Sequence, residues 1–277
     1  MTQSTSIYEF HGRVVRLGHR NVNIFLKKMS KLVLIVVAAS LCFSCTNLSG
    51  TNGDIPAEST DSLLGKNEGA NNLLPGLKDY TSDIESKFEK IPGDRKAQLD
   101  KLARYIKTKH ASGEPSNLVF ICTHNSRRSH MSQLWAQTAA YYFGLENVHC
   151  YSGETEATAF NPRTVRALRE AGFKINQTDS TANPLYLVSY AEGIAPVKGF
   201  SKTYNDPVNP RDNFAAIMTC SHADKTCPMV DGATTRVSIP YEDPKVADNT
   251  PEEEKRYAER CHQIATEMFF IFSRVKL

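Results

Sequence analysis

What this 277-residue chain lacks narrows the field first. It has no long apolar run: residues 32–43 fall short of the ~20 residues that a membrane-spanning helix needs. It has no strong charge of one sign. The formal net charge is +3, but six basic residues and one acid precede Cys45, and the remainder holds 27 basic against 29 acidic residues, a balance of −2. That excludes a field suited to nucleic acid, and any positive potential has to be local to a pocket. Metal-ligand spacing is missing too, since Cys220 and Cys227 stand too far apart for a zinc knuckle and no matching ligand pair accompanies them. Hydrophobic residues at 40% and charged residues at 23% describe an ordinary globular chain of one or two domains with ample length for a core.

What is present is organised around residues 117–135, NLVFICTHNSRRSHMSQLW. The apolar run 118–121 suits a strand buried on both faces. From Ser129 onward, Met131, Leu134, Trp135 and Tyr142 keep the spacing of one helix face. A tight loop from Cys122 to Arg128 and Ser129 joins strand to helix. Backbone N–H groups of such a loop converge on one point, and the helix dipole adds partial positive charge, which makes an anion site. The same field favours the thiolate of a cysteine placed at its start. Arg128 brings a planar fork that grips two oxygens of a tetrahedral oxyanion, and Ser129 can donate its hydroxyl to the sulfur.

At Cys122-Thr123-His124-Asn125-Ser126-Arg127-Arg128-Ser129 the chain resembles the low-molecular-weight protein tyrosine phosphatases and the thioredoxin-coupled arsenate reductases that share their fold. The resemblance implies an α/β fold with a parallel sheet and helices on both faces, in which residues 123–128 form the oxyanion loop and Asn125 braces it. His124 stands where the family has Gly, a departure that touches the loop's fine geometry. Asp243-Pro244 matches the family's general acid, which protonates the leaving oxygen. Some arsenate reductases of this fold hold potassium. Asn125 matches one ligand, but Gln133 replaces an expected Glu, so no metal or other cofactor is expected.

With a metal site set aside on spacing, Cys220 and Cys227, in CSHADKTCP after the apolar strand 214–219, admit a static disulfide or an electron relay from Cys122. The resemblance favours the relay: Cys122 attacks arsenate, arsenite leaves as Cys220 attacks Cys122, and Cys227 resolves that disulfide for an external dithiol such as a thioredoxin-like protein. The leading expectation is therefore an arsenate reductase. The alternatives are a phosphatase that hydrolyses phosphate monoesters through a cysteinyl-phosphate, and a non-catalytic oxyanion-binding or redox-sensing lipoprotein. Cys150 and Cys261 read as inert core thiols; His124, His130 and His222 could each face the pocket, with a surface position the leading reading.

The remaining chain supplies the frame. Residues 1–45 have a basic start, a short apolar core and a small residue before Cys45, the pattern of a secretory signal. The end resembles a lipoprotein lipobox, with Cys45 lipidated after cleavage and Met29 an alternative start. Export, with a membrane tether on the periplasmic side, is the expected location. Residues 46–77 read as a flexible tether, and 78–112 as a helical extension carrying helices 83–90 and 94–110. The catalytic domain spans 113–277. Within it, strands are expected at 148–152, 184–190, 214–219 and 236–240, and a helix starts at Asn161-Pro162 and ends at Gly172. Residues 193–213 look like an irregular insertion. Thr250-Pro251-Glu252-Glu253 is a capping box for a last helix with Tyr257, Cys261, Ile264, Met268 and Phe272 on one stripe.

Overall fold

A computed structural model describes residues 68–276 apart from Ala157 and Pro228. The expected signal segment 1–45, its Cys45 and the tether as far as residue 67 lie outside the described residues.

In chain order the elements are α1 (Glu68–Asn72), α2 (Pro75–Thr81), a 3₁₀ helix (Ile84–Lys90), α3 (Gly93–Ala111), β1 (Ser116–Cys122), α4 (Arg128–Tyr142), β2 (Val148–Glu154) and α5 (Pro162–Glu170). Then follow β3 (Lys174–Gln177), β4 (Tyr186–Ser189), β5 (Val197–Gly199), β6 (Phe214–Met218), α6 (Ser221–Thr226), β7 (Ala233–Ser238), a 3₁₀ turn (Pro244–Ala247) and α7 (Glu253–Lys276). β1, β2, β6 and β7 form a parallel sheet in the order β2-β1-β6-β7.

Strand alternation divides the core. Leu118 and Phe120 of β1 point into an apolar cluster with Trp135 of α4 and Phe269 of α7, while Val119 and Ile121 point to a smaller one with Ala223 of α6. Helices therefore cover both faces, unequally: α4 and α7 on one, the six-residue α6 on the other. Because parallel strands end together, Cys122, Glu154, Cys220 and Asp243 all reach the same rim of the sheet.

Two expectations are corrected. The tether does not run to residue 77, since Leu73 and Leu77 are buried in the main core and Pro75 starts α2 in its first turn. Residues 78–112 form the expected helical extension, and Ile84, Leu99, Leu102 and Ile106 anchor it in that same core. Gly172, at φ +105°, permits the close approach: a Cβ there would lie 2.3 Å from the Gly76 carbonyl carbon. Second, residues 193–213 are not irregular throughout: they hold β5, which pairs with β4, the strand expected near 184–190, in a second, antiparallel sheet, β3-β4-β5.

The capping box is shifted as well. α7 begins at Glu253, whose carboxylate accepts from the Asn249 N–H at 2.8 Å and pairs with Arg163 at 2.7 Å. Asn161 caps α5 as expected, accepting from the Arg163 and Thr164 N–H groups.

Candidate active site

β1 delivers Cys122 to the rim and α4 begins at Arg128, so the loop between them is wrapped around the helix N-terminus. Cys122 Sγ lies 3.0 Å from Ser129 Oγ. The Asn125 side-chain amide donates to that same oxygen at 2.9 Å, which leaves the Ser129 proton free to point at the sulfur. Asn125 is fully buried and adopts φ +35°, the left-handed bend that the loop requires, so His124 itself needs no positive φ. The missing glycine is thus accommodated one residue later.

His124 is exposed, but its carbonyl is gripped twice, by Thr158 Oγ1 at 2.7 Å and Ser201 Oγ at 3.2 Å. Ser126 Oγ donates to the Ala159 carbonyl at 2.7 Å, and the Lys202 N–H donates to Asn125 Oδ1 at 3.0 Å. The segment after β5 therefore clamps the loop from behind. Nothing in the spacing of residues 193–213 announces this, because the contact joins positions 77 apart.

Arg128 sits beside the candidate acid. Its Nη2 lies 2.7 Å from Asp243 Oδ2 and its Nη1 donates to the Tyr241 carbonyl at 2.9 Å, while the buried Nε–H has no hydrogen-bond partner among the described residues. Asp243 caps the 3₁₀ turn at Pro244 by accepting from the Lys245 N–H. Arg127 donates to Tyr257 Oη at 2.9 Å, and its Nε also lies 3.9 Å from Asp243 Oδ1, so Asp243 stands between two arginines.

The sulfur of Cys220 lies 3.3 Å from Thr123 Oγ1, one residue from the nucleophile, and 3.3 Å from the Ala223 N–H that it caps. Cys122 and Cys220 share one apolar cluster. Cys227 is half-buried at the far end of α6, and all three thiols are free. Cys150 and Cys261 are buried as expected. Burial pushes the Cys261 thiol up to about 12, with Trp135 donating to its sulfur, and pushes Cys150 upward as well.

His222 is exposed, in keeping with a surface reading, but His130 is not. It is fully buried, stacked on Phe160 with ring centroids 3.9 Å apart, and desolvation and then nearby Lys202 hold its pKa well below the ordinary value. Glu154 and Lys202, which the sequence did not single out, are buried behind the loop. Burial pushes Glu154 up to about 8, opposed by a hydrogen bond from Ser201, and pushes Lys202 down to about 8, opposed by Asp206 and Glu154.

The low molecular weight phosphotyrosine protein phosphatase family matches residues 117–186. An arsenate reductase of Bacillus licheniformis is 32% identical over 145 residues, 52% of this chain and 84% of that protein. The chain belongs to the low-molecular-weight phosphatase and arsenate reductase family. An arsenate reductase of Brevibacillus brevis is 31% identical over 127 residues, 46% of this chain and 75% of that one. A crystal structure of arsenate reductase from Archaeoglobus fulgidus, 18% identical, superposes over 55% of this chain and 98% of that one with a TM-score of 0.35. As a family member the protein is a cysteine-dependent enzyme acting on an oxyanion or phosphate ester.

Proposed function

We propose that the protein reduces arsenate through Cys122, Cys220 and Cys227. The Cys122 thiolate attacks the arsenic of an oxyanion held by the backbone N–H groups of residues 123–128 and by the Arg128 fork, and a hydroxyl leaves with a proton from Asp243. Cys220 then attacks the Cys122 sulfur. The sulfur–arsenic bond breaks with its electron pair going to arsenic, which departs as arsenite, and a Cys122–Cys220 disulfide remains. Cys227 attacks Cys220, returning Cys122 as thiolate, and an external dithiol reduces the Cys220–Cys227 bond with two electrons.

The observation that carries this reading is the Cys220 sulfur within 3.3 Å of Thr123, beside the nucleophile, with Cys227 on the same short helix. A phosphatase needs neither thiol. The phosphatase reading draws its support from the Arg128–Asp243 pair, which suits protonation of an ester leaving group.

Assays of the full chain with arsenate plus a dithiol, and with p-nitrophenyl phosphate, separate them. Loss of arsenate turnover in Cys220→Ser and Cys227→Ser, with Cys122 still reactive, is the expected result. Ester hydrolysis indifferent to both changes, without arsenate turnover, makes it a phosphatase; phosphate binding without turnover makes it a sensor. The same proposal takes residues 1–45 as an export signal and Cys45 as a lipid anchor, so that the reductant is a periplasmic thioredoxin-like protein. A chain found unlipidated in the cytosol on fractionation overturns that part.

A further inference from the structure

Cys220 and Cys227 cap the two ends of α6, a helix of six residues. Seven steps of a 1.5 Å rise hold their Cα atoms roughly 10 Å apart, and a disulfide tolerates no more than about 7 Å. The relay that we propose as this protein's function therefore requires α6 to deform each time the two sulfurs join. What holds α6 in its reduced shape then governs the step.

One side chain of β7 does most of this holding. Arg236 donates from Nη2 to the Asp224 carbonyl within α6 at 2.6 Å and from Nε to the Cys227 carbonyl at its end at 3.1 Å, and Nη2 also lies 2.7 Å from Asp224 Oδ1. The other Asp224 oxygen accepts from Ser238 Oγ, again on β7, at 2.8 Å. One rigid strand of the parallel sheet thus grips the middle and the far end of the relay helix.

The geometry points to Arg236 as a latch on the relay, a positioning residue that holds Cys227 away from Cys220 until Cys220 is oxidised. When Cys227 attacks Cys220 in the Cys122–Cys220 disulfide, the S–S electron pair leaves on Cys122, the Cys220–Cys227 bond forms, and the Arg236 bonds to α6 are broken. Those bonds exist only with the dithiol, so they stabilise the reduced pair and make its disulfide easier for an external dithiol to reduce. Release of the latch has the opposite sign: the disulfide forms faster and is reduced less readily.

The test is the redox equilibrium of the pair, which needs no arsenate. Full-length protein is equilibrated in reduced and oxidised dithiothreitol, quenched, alkylated and mapped by mass spectrometry for the Cys220–Cys227 disulfide. In Arg236→Gln the equilibrium is expected to move toward the disulfide by about tenfold, which corresponds to a potential about 30 mV more negative. Ser238→Ala, which loosens only the Asp224 anchor, is expected to move it the same way by less, and it serves alone should Arg236→Gln not fold. A midpoint unchanged, or shifted toward the dithiol, overturns the latch. A wild-type protein that never forms the Cys220–Cys227 disulfide overturns the relay reading itself, a different result.

Discussion

Arg128 Nη2 and Asp243 Oδ2 lie 2.7 Å apart, so the guanidinium suited to gripping an oxyanion also holds the carboxyl that would protonate its leaving group. Asp243 and a bound anion compete for one guanidinium charge: an anion that takes over the Arg128 fork frees Asp243. Asp243→Asn should lower kcat for p-nitrophenyl phosphate by about 10²–10⁴-fold. Inorganic phosphate should inhibit this variant more tightly than wild type, because Arg128 no longer spends a hydrogen bond on a carboxylate. Steady-state kinetics with phosphate as inhibitor checks both, and an unchanged kcat removes Asp243 from the chemistry.

Ser201 stands behind the loop, touching the His124 carbonyl and Glu154 at once. Ser201→Ala removes the hydroxyl that bridges the His124 carbonyl and the Glu154 carboxyl and loosens the loop, a loss of about 1–3 kcal/mol. The expected outcome is a fall in kcat/KM of about tenfold or more with oxyanion substrates, carried mainly by KM. Protection of Cys122 from alkylation by added arsenate should weaken in parallel.

Glu154 gives stability a pH slope whose sign is fixed. Its folded pKa of about 8 lies above the unfolded value of 4.5, so between these the folded protein keeps a proton that the unfolded chain has released. The contribution is full below about 4.5 and is lost as pH rises through about 8, with a limiting slope of about 1.4 kcal/mol per pH unit. Denaturant titrations from pH 5 to 8 should show wild-type stability falling relative to Glu154→Gln. Parallel curves would mean that Glu154 is already ionised in the folded protein over this range.

Leu73 and Leu77 are buried at the start of the described residues. A chain beginning at residue 83 loses both, at roughly 1.5–3 kcal/mol each. Its denaturation midpoint should fall accordingly relative to a chain beginning at residue 68.

Local spacing explains which parts of this molecule were legible. The strand–loop–helix around Cys122, the Asn161 cap and the apolar strand before Cys220 are written in residues a few positions apart. So is α2, where Leu73, Pro75 and Leu77 carried a signal that the polar composition of the whole 46–77 stretch averaged away. The clamp on the loop was not legible, because Ser201 and Lys202 meet His124 and Asn125 only through tertiary packing. His130 misled for the same reason: a histidine beside two arginines reads as surface, and only the Phe160 ring stacked against it shows otherwise.

The order of the sheet also sets when this chemistry can first occur. β1 is an interior strand, and one of its two partners, β6, pairs Phe214 with Asn117 across 97 residues of chain. At the usual pace of synthesis that interval lasts roughly 5–20 s. Throughout it Cys122 belongs to an unfinished protein and has no cradle, so a ribosome-bound chain is as inert toward oxyanions as any unfolded peptide.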